Sequence, residues 1–195
     1  MKDITIYDDT MFRVPIFKVE IDPWQEIKQK ILNHVEKSEY HKDPNGNNFL
    51  TDFNDTPGKN GWFIEKQNNY SQNVYEILYP WINHIVSNVF LRETPKQSPN
   101  MWTQKYYSDS EHPIHNHGNR GYSFILYLKY DEEHHLPTKF YSPYGHFFTG
   151  ALLPHCPKVK EGDLVCFPSV IHHTSQRQKS DKERMILSFN MFSDG

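Results

Sequence analysis

The sequence predicts a mainly β domain with flanking helices (α+β), its C-terminal half a sandwich or barrel. Two observations carry this. From residue 98 onward, short apolar runs rich in β-branched and aromatic residues (MWTQKYY, YSFILYLKY, TKFYSP, GDLVCFPSVI and RMILSFNMF) are separated by turn signals. Strands at that spacing, with no 3.6-period segment between them long enough for a crossover helix, build sandwiches or barrels. Before residue 98 the pattern is different, and two stretches hold a helical period.

In chain order, the first element is MFRVPIFKVEI, an alternating apolar stretch with Pro15 inside. Proline cannot donate to a ladder, so this reads as an edge strand. A helix follows, with Asp22 as N-cap, Pro23 at the first helical position, and Trp24, Ile27, Ile31, Leu32 and Val35 on one face. That face needs a partner, most simply the back of a sheet. Residues 40–70 are rich in Asn, Asp, Gly and Pro, so loops are expected there, with short strands near Phe49–Asp52 and Trp62–Ile64. A second helix is expected from about Ser71 to Phe90, carrying Val74, Ile77, Leu78, Trp81, Ile82, Ile85 and Val89 on its apolar side. Pro80 is expected to kink or divide it.

Composition bounds the function. At 195 residues one domain is expected. A net charge of -3 and a pI near 6.4 give no global positive field to attract nucleic acid or an anionic membrane. No apolar run is long enough to span a bilayer, and the start MKDITIYDD is too acidic for a signal peptide, so a cytoplasmic location is expected. Cys156 and Cys166 are too sparse for a disulfide scaffold and do not form a CxxC pair; both read as reduced thiols, with Cys166 in a core strand.

Nine of the twelve histidines lie between residues 112 and 173, which puts them on the β scaffold. His115 and His117 stand two apart where a strong strand begins, and side chains at i and i+2 of a strand share a face. Both imidazoles can then meet one metal. A third ligand has to come from elsewhere, and FPSVIHH offers His172 and His173 at the end of a later strand. The competing reading is a polar surface hairpin with exposed histidines. Arg184 opens the apolar strand RMILSFNMF and needs an acidic partner, because an unpaired buried guanidinium is costly. That partner is either a bound dicarboxylate, which a guanidinium grips bidentately, or a protein carboxylate such as Asp163 or Asp181.

The order HxH, then FPS with a following histidine, then R…SFN resembles the 2-oxoglutarate and Fe(II)-dependent oxygenases, in particular a microbial and phage-borne branch. The matching parts are Trp102, His115 with His117, Ser123 with Tyr127, Gly162-Asp163 with Phe167-Pro168-Ser169, His173, and Arg184 with Ser188-Phe189-Asn190, covering roughly residues 98–192. MFRVPIF and Gly61-Trp62 resemble the branch more loosely. The resemblance implies a double-stranded β-helix, a cupin-like jelly-roll barrel over 98–195 supported by the strand and helices of 1–97 within one domain. It implies Fe(II) held at one open end by His115, His117 and His173, with His172 pointing the other way. Arg184 would grip the distal carboxylate of 2-oxoglutarate, and O2 would complete the reaction, with hydroxylation, succinate and CO2 as the default outcome.

The sequence departs from the superfamily in two places. His117 stands where most members carry the carboxylate of a two-histidine, one-carboxylate triad. Three histidines are favoured here; the alternatives are an open position, as in relatives that bind a halide, or Asp109 or Glu111 completing the set. Ile186 replaces the serine of a frequent RxS pairing, so the cosubstrate's hydroxyl partner is sought in Tyr107, Tyr127 or Ser188. Tyr106, Asn119, Arg120, Tyr141 and Tyr144 lie near the expected mouth, where packing roles compete with substrate contacts.

The substrate, a small molecule or peptide, is not specified by the sequence, and nucleic acid is not indicated. A homodimer would hide the sheet edges, although no sequence patch points to one. Two rival readings remain, a cupin-like three-histidine metal enzyme that does not use 2-oxoglutarate and a non-catalytic jelly-roll module.

Overall fold

A computed structural model of the chain describes residues 14–43, 45–57, 63–91, 93–119, 121–146 and 148–191. The MFR of the opening strand, the Gly61-Trp62 segment and Arg120 lie outside the described residues. The elements are β1 (Phe17–Glu20), α1 (Trp24–Val35), β2 (His41–Lys42), β3 (Leu50–Thr51), β4 (Asn54–Pro57), β5 (Phe63–Lys66), α2 (Ser71–Val89), β6 (Met101–Tyr106), β7 (His112–His115), β8 (Tyr122–Lys129), β9 (Thr138–Gly145), β10 (Leu152–His155), β11 (Asp163–Pro168), β12 (His173–Ser175) and β13 (Arg184–Met191).

The five apolar runs of the C-terminal half are β6, β8, β9, β11 and β13. The large sheet runs β1-β11-β8-β13-β6-β3-β2 and the small one β10-β9-β12-β7, while β4 and β5 pair separately. Counted from β6, the first, eighth, third and sixth strands share the large sheet and the second, seventh, fourth and fifth the small one. That alternation is the double-stranded β-helix. β1 is an edge strand on β11, as its proline predicts.

Each central strand sorts its residues by parity. On β8, Phe124, Leu126 and Leu128 face the helices, while Ile125 and Tyr127 face the small sheet. β11 does the same with Leu164 and Cys166 against Val165 and Phe167. The helix side is closed by Ile27, Ile31, Leu32 and Val35 of α1 and by Val74, Leu78, Ile82 and Ile85 of α2. Each such fully buried aliphatic side chain contributes about 1.5–3 kcal/mol from transfer out of water. Cys166 is a free thiol in this layer.

The helices begin and continue differently from the sequence expectation. Pro23, not Asp22, is the residue flanking α1; it is extended and caps with no side chain, and its carbonyl accepts from Ile27 N–H at 3.3 Å. α2 runs undivided through Pro80, which is exposed, and the carbonyl it frees belongs to exposed Glu76. The turn into β11 depends on Gly162: its φ of +90° suits glycine, and a Cβ there would sit 2.8 Å from the Trp24 ring. Trp24 Nε1 donates to Glu161 Oε1 at 3.0 Å, which ties α1 to that turn.

Candidate metal and cosubstrate site

β7 and β12 lie antiparallel with His115 opposite His173, and His117 follows just beyond β7, its N–H donating to Ser169 O at 2.9 Å. The His115 and His173 ring centroids are 4.3 Å apart, and His117 lies 5.3 Å from His115 and 5.2 Å from His173. One nitrogen from each lies within 4.8 Å of the others. His115 Nδ1 is 2.8 Å from Pro113 O and His173 Nδ1 is 2.9 Å from Ile171 O. A carbonyl only accepts, so each Nδ1 carries the proton and each Nε2 lone pair is left for a cation.

Burial lowers the pKa of His115 and takes that of His173 well below the usual imidazole value, so both rings stay neutral. Neutral imidazoles preoriented by backbone carbonyls are a donor set that fits Fe(II). No carboxylate joins this cluster among the described residues. Asp109 and Glu111 are exposed, and Asp109 accepts from Arg177 Nε at 3.0 Å. His172 is exposed, with Nε2 3.1 Å from Asn116 Nδ2. A fourth histidine that sequence reasoning did not single out, His112, stacks on His115 at 3.8 Å, and burial takes its pKa down to about 3.

Behind His117, three motif residues form one network. Ser123 Oγ donates to Asn190 Oδ1 at 2.7 Å and lies 2.9 Å from Ser169 Oγ, and Asn190 Nδ2 reaches His117 Nδ1 at 3.5 Å. The serine of β8, the serine of FPS and the asparagine of SFN thus meet on one side of one imidazole.

Arg184 is completely buried. Its Nη1 donates to Ser175 Oγ at 3.0 Å and Nη2 reaches Thr138 Oγ1 at 3.5 Å, while the guanidinium sits 4.9 Å over the Tyr106 ring and 5.6 Å over that of Tyr127. Among the described residues its Nε has no hydrogen-bond partner, nor does the buried Tyr106 hydroxyl. No carboxylate lies within ion-pair distance among the described residues: Asp163 pairs with Lys18 at 3.1 Å, and Asp181 is exposed. Neither protein carboxylate offered by the sequence, Asp163 or Asp181, pairs with Arg184, so among the described residues the buried cation has no counter-charge.

Thr138, Ser175 and Tyr106 share with the three histidines the wall of one cavity of about 370 Å³. Of the hydroxyls expected from sequence, Ser188 is on that wall. Tyr107 and Tyr127 are not: Tyr107 donates to Glu183 at 2.5 Å, and Tyr127 Oη accepts from Thr138 N–H at 3.1 Å. Tyr106, expected at the mouth, is a fully buried wall residue whose phenol burial pushes up to about 12, so it is a neutral donor. Asn119, Tyr141 and Tyr144 are not on the wall. Thr138 and Ser175 carried no sequence signal, whereas strand parity alone selects Tyr106, since Trp102, Gln104 and Tyr106 of β6 share one face.

Three clustered histidines share one cavity wall with Thr138 and Ser175, the hydroxyl partners of the buried Arg184, inside a double-stranded β-helix; this arrangement suits a metal- and dicarboxylate-dependent oxygenase. Residues 100–190 match the family model described as "Putative 2OG-Fe(II) oxygenase", and that match together with the fold supports a 2-oxoglutarate/Fe(II)-dependent oxygenase, an enzyme type whose cofactors are Fe(II), 2-oxoglutarate and O2. No curated protein sequence matches the chain.

Among solved structures, a 2OG-Fe(II) oxygenase-family oxidoreductase from Burkholderia pseudomallei superposes with a TM-score of 0.64 at 11% identity, over 89% of this chain and 82% of that one. A Pseudomonas putida prolyl-4-hydroxylase gives 0.61 at 12%, over 92% and 94%. HygX from Streptomyces hygroscopicus, solved with nickel, 2-oxoglutarate and hygromycin B, gives 0.59 at 12%, over 91% and 82%. At such identities the likeness speaks for the fold. No helix among the described residues is long and apolar enough to cross a membrane.

Proposed function

We propose that the enzyme hydroxylates a small-molecule or peptide substrate, with His115, His117 and His173 as the Fe(II) ligands and Arg184 as the anchor for 2-oxoglutarate. The observation that carries this is the buried Arg184 guanidinium, which forms no ion pair among the described residues and bonds Ser175 and Thr138, both on the wall of the cavity that holds the three histidines.

Each residue has a definable task. The backbone carbonyls of Pro113 and Ile171 hold the His115 and His173 rings with Nε2 free. Arg184 lies behind the cavity wall and supplies a positive charge beside it, and its two hydroxyl partners on the wall, with the Tyr106 phenol, supply the neutral donors that the RxS serine provides elsewhere. Ile186 and Phe167 line the cavity with apolar surface, which limits water around the bound groups. When bound, Fe(II) and 2-oxoglutarate use O2 to oxidise a substrate C–H bond while the cosubstrate becomes succinate and CO2. We read residues 1–97 as support for the barrel within a single domain, since α1 and α2 pack on its large sheet. A cytoplasmic setting is consistent with the free thiols of Cys156 and Cys166.

The test is an anaerobic titration of apo protein with Fe(II) and then 2-oxoglutarate. The weak visible band of keto-acid chelation is expected to appear and to fade on admitting O2. Iron binding without that band would transfer the protein to the metal-enzyme reading without 2-oxoglutarate.

A further inference from the structure

We propose that the cavity selects a substrate bearing a cationic nitrogen, an alkylammonium or guanidinium group, with Asp43 as its counter-ion; this rests on the oxygenase reading of the same cavity. Apart from histidines, Asp43 is the one charged residue on the cavity wall among the described residues. It is 9% exposed, yet no lysine or arginine among the described residues forms an ion pair with it. Its Oδ2 accepts from Asn47 Nδ2 at 2.7 Å and from Asn47 N–H at 3.4 Å, which serves the turn between β2 and β3. No hydrogen bond to its Oδ1 is formed among the described residues, and Oδ1 is not one of the fully buried unpartnered atoms, so it remains accessible on the cavity wall. A carboxylate largely withdrawn from water without a cation is unfavourable, and a cationic ligand reduces that cost.

The surroundings suit a cation in a second way. Asp43 N–H donates to Phe49 O at 3.2 Å, and the Phe49 ring lies 5.2 Å from Tyr106 and 4.8 Å from His112. Phe53 meets Trp102 edge-on at 5.1 Å on the same cavity wall. Aromatic faces beside a carboxylate attract ammonium and guanidinium groups. His112 in turn stacks on His115, so a chain anchored at Asp43 enters the space that the histidine cluster shares. A phosphorylated substrate is disfavoured there: the wall offers it a carboxylate, and the buried guanidinium serves the cosubstrate.

The experiment is anaerobic calorimetry on the Fe(II)- and 2-oxoglutarate-loaded full chain. The probes are free lysine and arginine, the same residues capped as N-acetyl methylamides, and the neutral isosteres Nε-acetyl-lysine and citrulline, both capped as N-acetyl methylamides so that no α-ammonium remains. Cationic probes are expected to bind at least about tenfold more tightly than their isosteres. Asp43→Asn, near-isosteric, is expected to erase that discrimination, and Asp43→Lys to reverse it towards glutamate. Phe53→Leu tests the aromatic wall without touching the carboxylate and is expected to weaken cationic probes several-fold more than neutral ones.

Preference for the free over the capped probes identifies an amino acid or amine substrate, and the converse a polypeptide side chain; either supports the assignment. Equal affinity for cationic and neutral probes, or discrimination that survives in Asp43→Asn, overturns it. If no chelation band forms while charge discrimination persists, the oxygenase reading fails and the cation site stands. If the band forms and no cationic probe binds, the cation site fails alone.

Discussion

Along β13, the residues that face the helices are Met185, Leu187, Phe189 and Met191, whereas those of opposite parity are Arg184, Ile186, Ser188 and Asn190. All eight are buried. The first set lies in a layer of aliphatic and aromatic side chains with nothing left to bond. The second contains a cation without a counter-charge among the described residues, a hydroxyl, and an amide that reaches a histidine. One strand therefore has a face whose demands are met by folding and a face whose demands are completed by ligands.

The sharpest way to break this comparison is at the histidines. His173→Ala is expected to abolish Fe(II) binding, measured by anaerobic titration, because it removes one of three clustered imidazoles that no carboxylate backs up among the described residues. Iron retained at near wild-type affinity would show that the other two rings and water suffice. On the helix face the expected effect is on folding. Leu187→Ala, at a fully buried position, is expected to cost about 2–5 kcal/mol by denaturant unfolding. Protein that remains folded should still bind iron.

Arg184→Met sharpens the contrast by giving opposite signs in two measurements. Affinity for 2-oxoglutarate is expected to fall on the order of 10–100-fold, the worth of about 1.5–3 kcal/mol for hydrogen bonds to a charged group. Stability of the ligand-free protein is expected to hold or rise, since the guanidinium desolvated without a carboxylate is replaced by an apolar chain. A stability loss with unchanged cosubstrate affinity would return Arg184 to a purely structural role.

The two faces were not equally legible in the sequence. The helix face follows from periodicity: parity on β8, β11 and β13, and the helical period of α1 and α2, select its residues without any knowledge of partners. The site was legible where motifs carried it, as with His115, His117, His173 and Arg184, and the network of Ser123, Ser169 and Asn190 explains why those motifs occur together. It was not legible for Thr138 and Ser175, small hydroxyl residues brought to Arg184 by pairing of β9 with β12. Asp43 and Phe49 sit in an Asn-rich stretch that reads as loops with a short strand near Phe49–Asp52 and carries no site motif, and their meeting with His112 is a tertiary event. Tyr107, expected from the sequence to meet the cosubstrate, bonds Glu183 away from the cavity, while its neighbour Tyr106 lines it; a step of one residue along the chain changes the face.

Acid should expose the polar face selectively. Burial depresses the pKa of His112, His115 and His173, so the folded apo protein stays unprotonated there where the unfolded chain, with imidazoles near their ordinary value of about 6.5, does not. Stability is therefore full above that value and lost as pH falls below it, by up to about 1.4 kcal/mol per pH unit for each such histidine. His173→Ala should flatten that slope by one group in apo unfolding measurements between pH 6.5 and 5. An unchanged slope would mean that His173 already takes up its proton in the folded state.

The smallest expected effect makes the finest test of register. His172 is the neighbour of His173 in sequence, but on β12 the two point to opposite sides, and His172 is exposed with its Nε2 on Asn116. His172→Ala is expected to change stability by no more than about 0.5 kcal/mol, as for other surface substitutions, and to leave Fe(II) binding near wild type. The pairing of His173 with both His115 and Phe140 fixes this register from two strands at once. If His172→Ala lost iron as completely as His173→Ala, β12 would have to be shifted by one residue, and with it the Ser175 hydroxyl that faces Arg184.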